Sequence, residues 1–530
     1  MPHRPPLNQV LADNPEFDVV VIGGGITGAG IAREAAGSGL RTLLVEQQDF
    51  AWGTSSRSSK MVHGGLRYLG SGQPGLAREA LRERERLLQE APGLIDPMPF
   101  VMPHYRGRFP GPRLFQLLLR VYDYLGKRQT RRFLHPAESL NWVPALNTRS
   151  LLGASVFADG VTDDARLVLR VLSEAREDGA VCRNYTRAVD IRRRDGRVTG
   201  VSLQDVLDNQ QFDVKSPLVI NATGAWGGLP KENGECPDGL TIRPLRGSHL
   251  VLPWQRLPVT CAVSLLHPED GRPVFAFPWQ GTTVLGTTDL DHNENLAREP
   301  AISATEVDYL LQIAARLFPS RGISQQDIVS TWSGVRPVVT DGTGKSPSKE
   351  NREHTITADQ GLVTIAGGKL TTFRQIAREA LSLGIGSDNP RELRSASAAV
   401  FRPVPELPRP TTLTHLAWHR LRGCYGPDLP ALLDEPDLTP VPGTDLRWAE
   451  LTFACKTEQV VHLDDLLLRR TRFGLILPDG GERLLPQLRE QCQPVLGWSD
   501  QQWIDEVNRY RHLYREAYSA TPWQEARHDR

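Results

Sequence analysis

The chain has 530 residues, of which 39% are apolar and 23% charged, with 62 basic side chains against 62 acidic ones. That length exceeds one hydrophobic core, so two or three domains are expected, and the balance of residues excludes a disordered or collagen-like chain. A formal net charge of zero excludes a global pull toward nucleic acid, leaving electrostatic recognition to local clusters.

The first predicted element is Phe17–Ile22, a near-continuous β-branched run whose apolar residues do not alternate with polar ones, which reads as a buried parallel strand. It runs into Gly23-Gly24-Gly25-Ile26-Thr27-Gly28, which fits G-x-G-x-x-G. Ile26 to Ser38 then reads as a helix with Ile26, Ala29, Ile31 and Ala35 available to the sheet. A second strand, Arg41–Val45, ends at Glu46, 18 residues beyond Gly28. This strand–helix–strand unit predicts a dinucleotide site. Gly23 permits the tight turn, Gly25 lets backbone approach a pyrophosphate, Gly28 lets helix meet strand, and Glu46 accepts ribose hydroxyls. Glu46 serves FAD or NAD equally. The next segment, Asp49 to Leu69, is dense in polar residues and glycine where a nicotinamide enzyme would resume its strand–helix alternation. Its Thr54, Ser55, Ser56, Ser58, Ser59 and Lys60 offer hydroxyls and one cation beside a pyrophosphate, which suits FAD; a solvated loop is the plainer alternative.

Further along, the apolar stretch Leu114–Leu125 is followed by Lys127, Arg128, Arg131 and Arg132, and reads either as a core-packing helix or as a face for anionic lipid. Pro217–Ile220 is a short buried strand whose Asn221-Ala222-Thr223-Gly224 turn suits a return to the first sheet. Phe275–Trp279 and Thr283–Gly286 flank Gln280-Gly281 as a hairpin. Leu362–Gly368 repeats the strand-then-glycine pattern, and Thr371–Leu383 reads as a helix. With Leu370, it carries Phe373, Ile376, Ala377, Ala380 and Leu381 on one face, for core or lipid. Four prolines between Phe401 and Pro410 predict a stiff linker ahead of a helical C-terminal region. The six cysteines contain no C-x-x-C pair and come no closer than 25 residues (Cys236 to Cys261), so neither a metal site nor a disulfide framework is expected. The opening MPHRPPLNQV has no apolar core and no run approaches the roughly 20 residues that span a bilayer, so a cytoplasmic protein is expected.

From the Ser-rich loop onward the sequence resembles FAD-dependent glycerol-3-phosphate dehydrogenases of the aerobic, quinone-linked type. Blocks in the same order carry the resemblance: Phe100-Val101-Met102-Pro103-His104, Asp163–Val168, Asn221–Trp226, Gly247-Ser248-His249, Gly286-Thr287-Thr288-Asp289, Gly334-Val335-Arg336-Pro337, Ser346-Pro347-Ser348 and Gly367–Thr372. Ala449–Gly474 also resembles that family's helical C-terminal cap, while Ala225, Trp52 and Gly227–Cys236 depart from its pattern. The resemblance implies an α/β fold: a Rossmann-like FAD-binding domain with an inserted antiparallel-sheet substrate domain, as in D-amino-acid oxidases, and a mostly helical C-terminal domain. The expected boundaries are 15–70, 155–240 and 325–388 for the FAD domain, 71–154 and 241–324 for the substrate domain, 389–412 for the linker and 413–530 for the cap.

The implied activity is oxidation of sn-glycerol 3-phosphate to dihydroxyacetone phosphate, with electrons passed to quinone or another acceptor. Peripheral contact with the inner face of the cytoplasmic membrane, and a homodimer, are compatible with it. Rival readings are a related flavoprotein oxidase or dehydrogenase acting on a small hydroxy- or amino-carboxylate, and a flavoprotein kept as a binding module. The chemistry needs a hydride acceptor, a base and cations for a dianionic phosphate. The resemblance places Arg67, Tyr68, Arg336, Arg352 and Lys369 around the substrate, with Arg336 in a rigid turn and Lys369 at a helix start. His249 is the favoured base because an imidazole titrates near neutrality, and His63 is its competitor, placed beside the flavin ring; His104 is expected to be structural. Gly23, Gly25, Gly28, Glu46, Thr54, Ser55, Ser56, Ser59, Lys60, Ala188, Gly224, Gly368, Leu370 and Thr371 are the residues expected to hold FAD.

Overall fold

A computed structural model describes residues 4–11, 15–70, 72–227, 241–340, 354–386 and 392–519. Strand β1 (Val19–Ile22), helix α1 (Ile26–Gly37) and strand β2 (Thr42–Val45) form the expected opening unit. Every residue of both strands is buried, which is why neither alternates in the sequence. β1 lies parallel to β2 on one side and to Leu218–Asn221 on the other, with Val19 opposite both Thr42 and Leu218. Val181–Arg183 and Leu362–Ala366 continue the sheet in parallel, and Thr355–Asp359 closes one edge in the antiparallel sense. The spatial order therefore runs Val181–Arg183, β2, β1, Leu218–Asn221, Leu362–Ala366. It reverses direction next to β1, and a doubly wound sheet leaves its ligand crevice at that reversal.

A second, larger sheet carries the expected hairpin, Pro273–Trp279 against Thr282–Gly286. Its long ladders are Ile95–Tyr105 with Leu151–Thr162 and Thr241–Pro253 with Ser330–Thr340. All its pairings are antiparallel except Ala262–Leu266 beside Ile95–Tyr105. Met61–Val62, Leu151–Thr162 and Ser330–Thr340 belong to this sheet, not to the flavin sheet. The expected boundaries at 70, 155 and 325 thus cut through the second sheet. A strand's own pattern shows that it is a strand and which face is buried, but not which sheet receives it.

Helices between His415 and Ala517 make up the C-terminal region. The proline-rich segment before them is a strap, not a spacer. Val400 and Phe401 are buried in the core of the flavin domain, the Val400 carbonyl accepts from Arg33 Nε at 2.8 Å, and Arg402 pairs with Glu174 at 2.7 Å. The cap also grips the flavin domain through charge. Asp49, three residues beyond Glu46, accepts from Arg469 Nε (2.5 Å), Arg470 Nη1 (2.6 Å) and Nη2 (2.7 Å), and Asn184 Nδ2 (3.0 Å). Burial pushes the Asp49 carboxyl up, but the two guanidiniums outweigh it and hold it below its ordinary value.

Candidate active site

β1 and Leu218–Asn221 end side by side, and the chain leaves each through a glycine turn, at Gly23 (φ 114°) and Gly224 (φ 61°). Between the turns opens a cavity of about 580 Å³. Gly23, Gly25, Glu46, Thr54 and Ser55 line one side, Ala188 and Gly224 another, and Gly368, Lys369 and Leu370 a third. A Cβ on Gly23 would stand 2.6 Å from the Ala222 carbonyl oxygen, whereas one on Gly25 would meet only Ser55 Oγ at 3.0 Å. The Gly25 backbone therefore faces the cavity across from Ser55, whose Oγ accepts from the Ile26 N–H at 3.0 Å. Glu46 accepts from the Gly24 N–H (2.7 Å) and the Gln48 N–H (2.9 Å). Burial, with the nearby Asp49 charge, raises its pKa despite those two bonds; the carboxylate lines the cavity, where its remaining lone pairs could accept ribose hydroxyls. A helix start for the pyrophosphate and an acid at the end of β2 for the ribose fit an FAD-sized dinucleotide.

Five expected cofactor residues lie outside the cavity wall. Gly28 sits beneath it, where a Cβ would come within 1.9 Å of the Gly23 carbonyl oxygen. Lys60 is turned away from any pyrophosphate: its Nζ donates to the Ser56 carbonyl (2.9 Å) and to Asp164 Oδ1 (2.9 Å), and rests 4.5 Å from the centre of the Trp332 ring. Burial and the neighbouring Arg472 charge bring its pKa down to about 7. Lys60 thus anchors the loop, because a polar side chain that cannot reach water must take its partners from the interior. Ser56 is buried in the same cluster, Ser59 Oγ is 2.9 Å from His249 Nε2, and Thr371 is buried behind the wall. Sequence reasoning missed Trp52 and Trp226 as wall residues; their rings lie 5.4 Å apart, and Trp226 Nε1 donates to the Leu296 carbonyl at 3.1 Å. The one signal was their position beside the hydroxyl-rich loop and the Ala222–Gly224 turn.

On the substrate side, Lys369 Nζ lies 3.9 Å from the centre of the Tyr68 ring. Tyr68 and the exposed Arg67 share the short helix Leu66–Gly70. Lys369 caps only a three-residue 3-10 turn and the α-helix begins at Phe373, so the expected helix-start charge is not at Lys369. Arg336 is likewise not in a turn. It lies in Ser330–Thr340, opposite Leu245, on a strand that pairs along one side only among the described residues, where Pro337 costs no ladder bond. Its Nη1 donates to Asp289 Oδ1 at 2.7 Å and its Nη2 to Thr287 Oγ1 at 3.1 Å, and the guanidinium packs on Gly247, where a Cβ would approach it to 2.3 Å. The Thr54 hydroxyl donates to the Val335 carbonyl, which couples this strand to the cofactor loop. Arg352 and Ser346-Pro347-Ser348 lie outside the described residues.

The histidines divide by solvation. His249 is 1% exposed, stacked on Trp332 at 4.9 Å. Burial, with the Lys60 and Arg336 charges, holds it well below its ordinary pKa. A ring kept neutral this way is a poor proton acceptor, which opposes the role of base expected for it. His63 is 41% exposed, with Nδ1 3.0 Å from Asp159 Oδ2. His104 has both ring nitrogens engaged, with the Pro110 carbonyl and Ser155.

The chain is 36% identical over 523 residues to a glycerol-3-phosphate dehydrogenase of Mycobacterium leprae, covering 93% of this chain and 87% of that one. It is 38% identical over 375 residues to an aerobic glycerol-3-phosphate dehydrogenase of Staphylococcus haemolyticus, covering 70% and 67%. Among solved structures, the glycerol-3-phosphate dehydrogenase of Bacillus halodurans complexed with FAD superposes with a TM-score of 0.74 at 25% identity, over 96% of each chain. Residues 366–503 match the C-terminal domain of alpha-glycerophosphate oxidase. Residues 18–374, which hold the whole glycine-lined cavity, match FAD dependent oxidoreductase, and the chain belongs to that family.

Proposed function

We propose that the protein oxidises the C2 hydroxyl of sn-glycerol 3-phosphate to give dihydroxyacetone phosphate. FAD, when bound, supplies the hydride acceptor. The observation that carries this reading is the cationic corner at the cavity: Lys369 is in its wall, held against Tyr68 on the helix that bears Arg67, and Arg336 adjoins the wall residue Pro337. Relatives named for this substrate support it over most of the chain's length. In this reading Arg336 and Lys369 receive the phosphate, Arg67 and Arg352 complete the cationic set, and His63, the more exposed ring, takes the hydroxyl proton. His249 acts as a neutral hydrogen-bonding group. Anaerobic glycerol 3-phosphate should bleach the flavin absorbance. Arg336→Lys keeps the charge but loses the planar fork; one charge-assisted hydrogen bond is worth about 1.5–3 kcal/mol, so kcat/KM should fall about 10- to 150-fold with FAD content unchanged. Weak activity on unphosphorylated glycerol should survive; equal loss on both substrates would remove Arg336 from the phosphate site.

Electrons leave to a quinone in this reading, at a membrane surface offered by the helix Pro112–Gly126. Phe115, Leu119 and Tyr122 face inward. Leu114, Leu117, Val121 and Tyr124 form an outward row, 56%, 57%, 42% and 82% exposed, beside Phe109 at 74%. Arg106, Arg108, Arg113, Arg120 and Lys127 are exposed around it. Three residues of the expected basic cluster are instead paired, Arg128 with Glu85, Arg131 with Asp123 and Arg132 with Glu138. The stripe of the Phe373–Ile385 helix is flavin-domain core, and no described helix is long and apolar enough to cross a membrane. The protein should sediment with anionic vesicles and be partly released by salt. Leu117→Glu should cut the bound fraction several-fold, and equal recovery with and without vesicles would refute the contact.

A further inference from the structure

Asp159 is a buried carboxylate that the reaction as described leaves without a task. Leu151–Thr162 pairs with Met61–Val62 so that Met61 faces Val161 and Val62 faces Gly160, and the next step of that register brings His63 across from Asp159. The two carboxylate oxygens are used unequally. Oδ1 accepts from Arg84 Nη1 (2.5 Å), the Tyr122 hydroxyl (2.6 Å) and the Gly64 N–H (3.1 Å). Oδ2 faces His63 Nδ1 at 3.0 Å. The His63 ring packs beside the Phe100–Phe275 pair, with centroids 5.8 and 6.0 Å away, and these contacts limit its rotation.

Burial pushes the Asp159 carboxyl up, but the hydrogen bond from His63 and the Arg84 guanidinium oppose it, and the group stays below its ordinary value and ionised. Arg84 in turn pairs with Glu85 at 2.6 Å. An ionised carboxylate has no hydrogen to donate, so the hydrogen between Oδ2 and Nδ1 belongs to His63. Nε2 is then the nitrogen with the lone pair. Three donors lock Oδ1, so the carboxylate is held still and Oδ2 has one fixed direction to offer.

We propose that Asp159 is a positioning residue, holding His63 in the tautomer and orientation in which Nε2 receives the proton of the substrate hydroxyl. This rests on the reading of His63 as the proton acceptor. With bound FAD to accept the C2 hydrogen as hydride, the O–H bond would break and Nε2–H form, leaving the carbonyl on the substrate, and the resulting imidazolium would face a carboxylate already in place.

The test uses the FAD-loaded protein and anaerobic flavin reduction by glycerol 3-phosphate. Asp159→Asn can turn an amide N–H toward Nδ1 and favour the opposite tautomer. The rate constant for reduction should fall about 10²- to 10⁴-fold, the span of general base catalysis, while the half-saturating substrate concentration and FAD content stay within about threefold. Asp159→Glu should recover part of the rate. His63→Gln should lose a comparable factor, and Asp159→Asn added to it should cost nothing further, since the carboxylate acts through the ring. A rate within threefold of wild type for Asp159→Asn, or a further tenfold loss on top of His63→Gln, would overturn the proposal. Should Arg84, deprived of its counter-ion, prevent Asp159→Asn from folding, nitrogen-15 spectra of histidine-labelled wild-type protein decide the matter, with His63→Gln assigning the signal. The Nδ1–H tautomer is expected and the Nε2–H tautomer would refute the role. That measurement needs no substrate, so it stands even if glycerol 3-phosphate fails to reduce the flavin, an outcome that would overturn only the substrate reading.

Discussion

Valine in place of Gly28 should give a protein that retains no FAD and melts well below the wild type. A Cβ at this position would stand 1.9 Å from the Gly23 carbonyl oxygen and 3.0 Å from the Gly23 carbonyl carbon. Both atoms are backbone, so no side-chain rotation relieves the contact and α1 must lift from β1. Overpacking in a filled core costs about 1–3 kcal/mol, more where backbone must move. The lift also withdraws the start of α1 from the position where its N–H groups meet a pyrophosphate. Acid release of the flavin followed at its visible absorbance, together with a thermal melt, measures both effects. Gly25→Val provides the contrast. Its Cβ meets a serine hydroxyl at 3.0 Å, which can rotate aside, so that variant should fold while its branched side chain obstructs the cofactor. Full flavin occupancy in Gly28→Val would contradict the packing argument.

Asp49→Ala should loosen the C-terminal helices from the flavin domain. Asp49 is the shared acceptor of Arg469, Arg470 and Asn184, with no side-chain exposure on Asp49 or Arg470. Arg469 retains Asp464 and Asp465, whereas Arg470 keeps a carbonyl bond to Glu458 (2.8 Å) and a more distant carboxylate at 3.8 Å. Removing one partner of a buried ion pair costs about 3–5 kcal/mol, because the remaining charge stays desolvated. Limited proteolysis should cut the helices beyond His415 earlier than in wild type, with a lower denaturant midpoint. Asp49 follows Glu46 by three residues, so FAD affinity should weaken as well. An unchanged midpoint and cleavage pattern would mean that apolar packing alone docks the cap.

The sequence by itself determined the parts whose cause is local. Unalternating β-branched runs at Val19–Ile22 and Leu218–Asn221 mark strands buried on both faces, and the glycines that follow them mark turns no other residue makes as readily. Gln280-Gly281 likewise announced its hairpin. Spacing from Gly28 to Glu46 was enough to identify a dinucleotide site, since β1, α1 and β2 are consecutive and their geometry leaves little choice. Tertiary structure alone decided what depends on neighbours far along the chain. Met61–Val62 and Ser330–Thr340 joined the second sheet because their partners are there. Lys60 turned inward because Asp164, 104 residues later, waits there for its charge. His249 is stripped of water by Trp332 and by a strand bearing Gly286 that leaves no room for a side chain, while His63 stays half open and meets a carboxylate 96 residues away. The two histidines weighed as the base are thereby solvated and partnered differently, because desolvation and counter-ion placement are properties of the packed interior and not of any local run of residues.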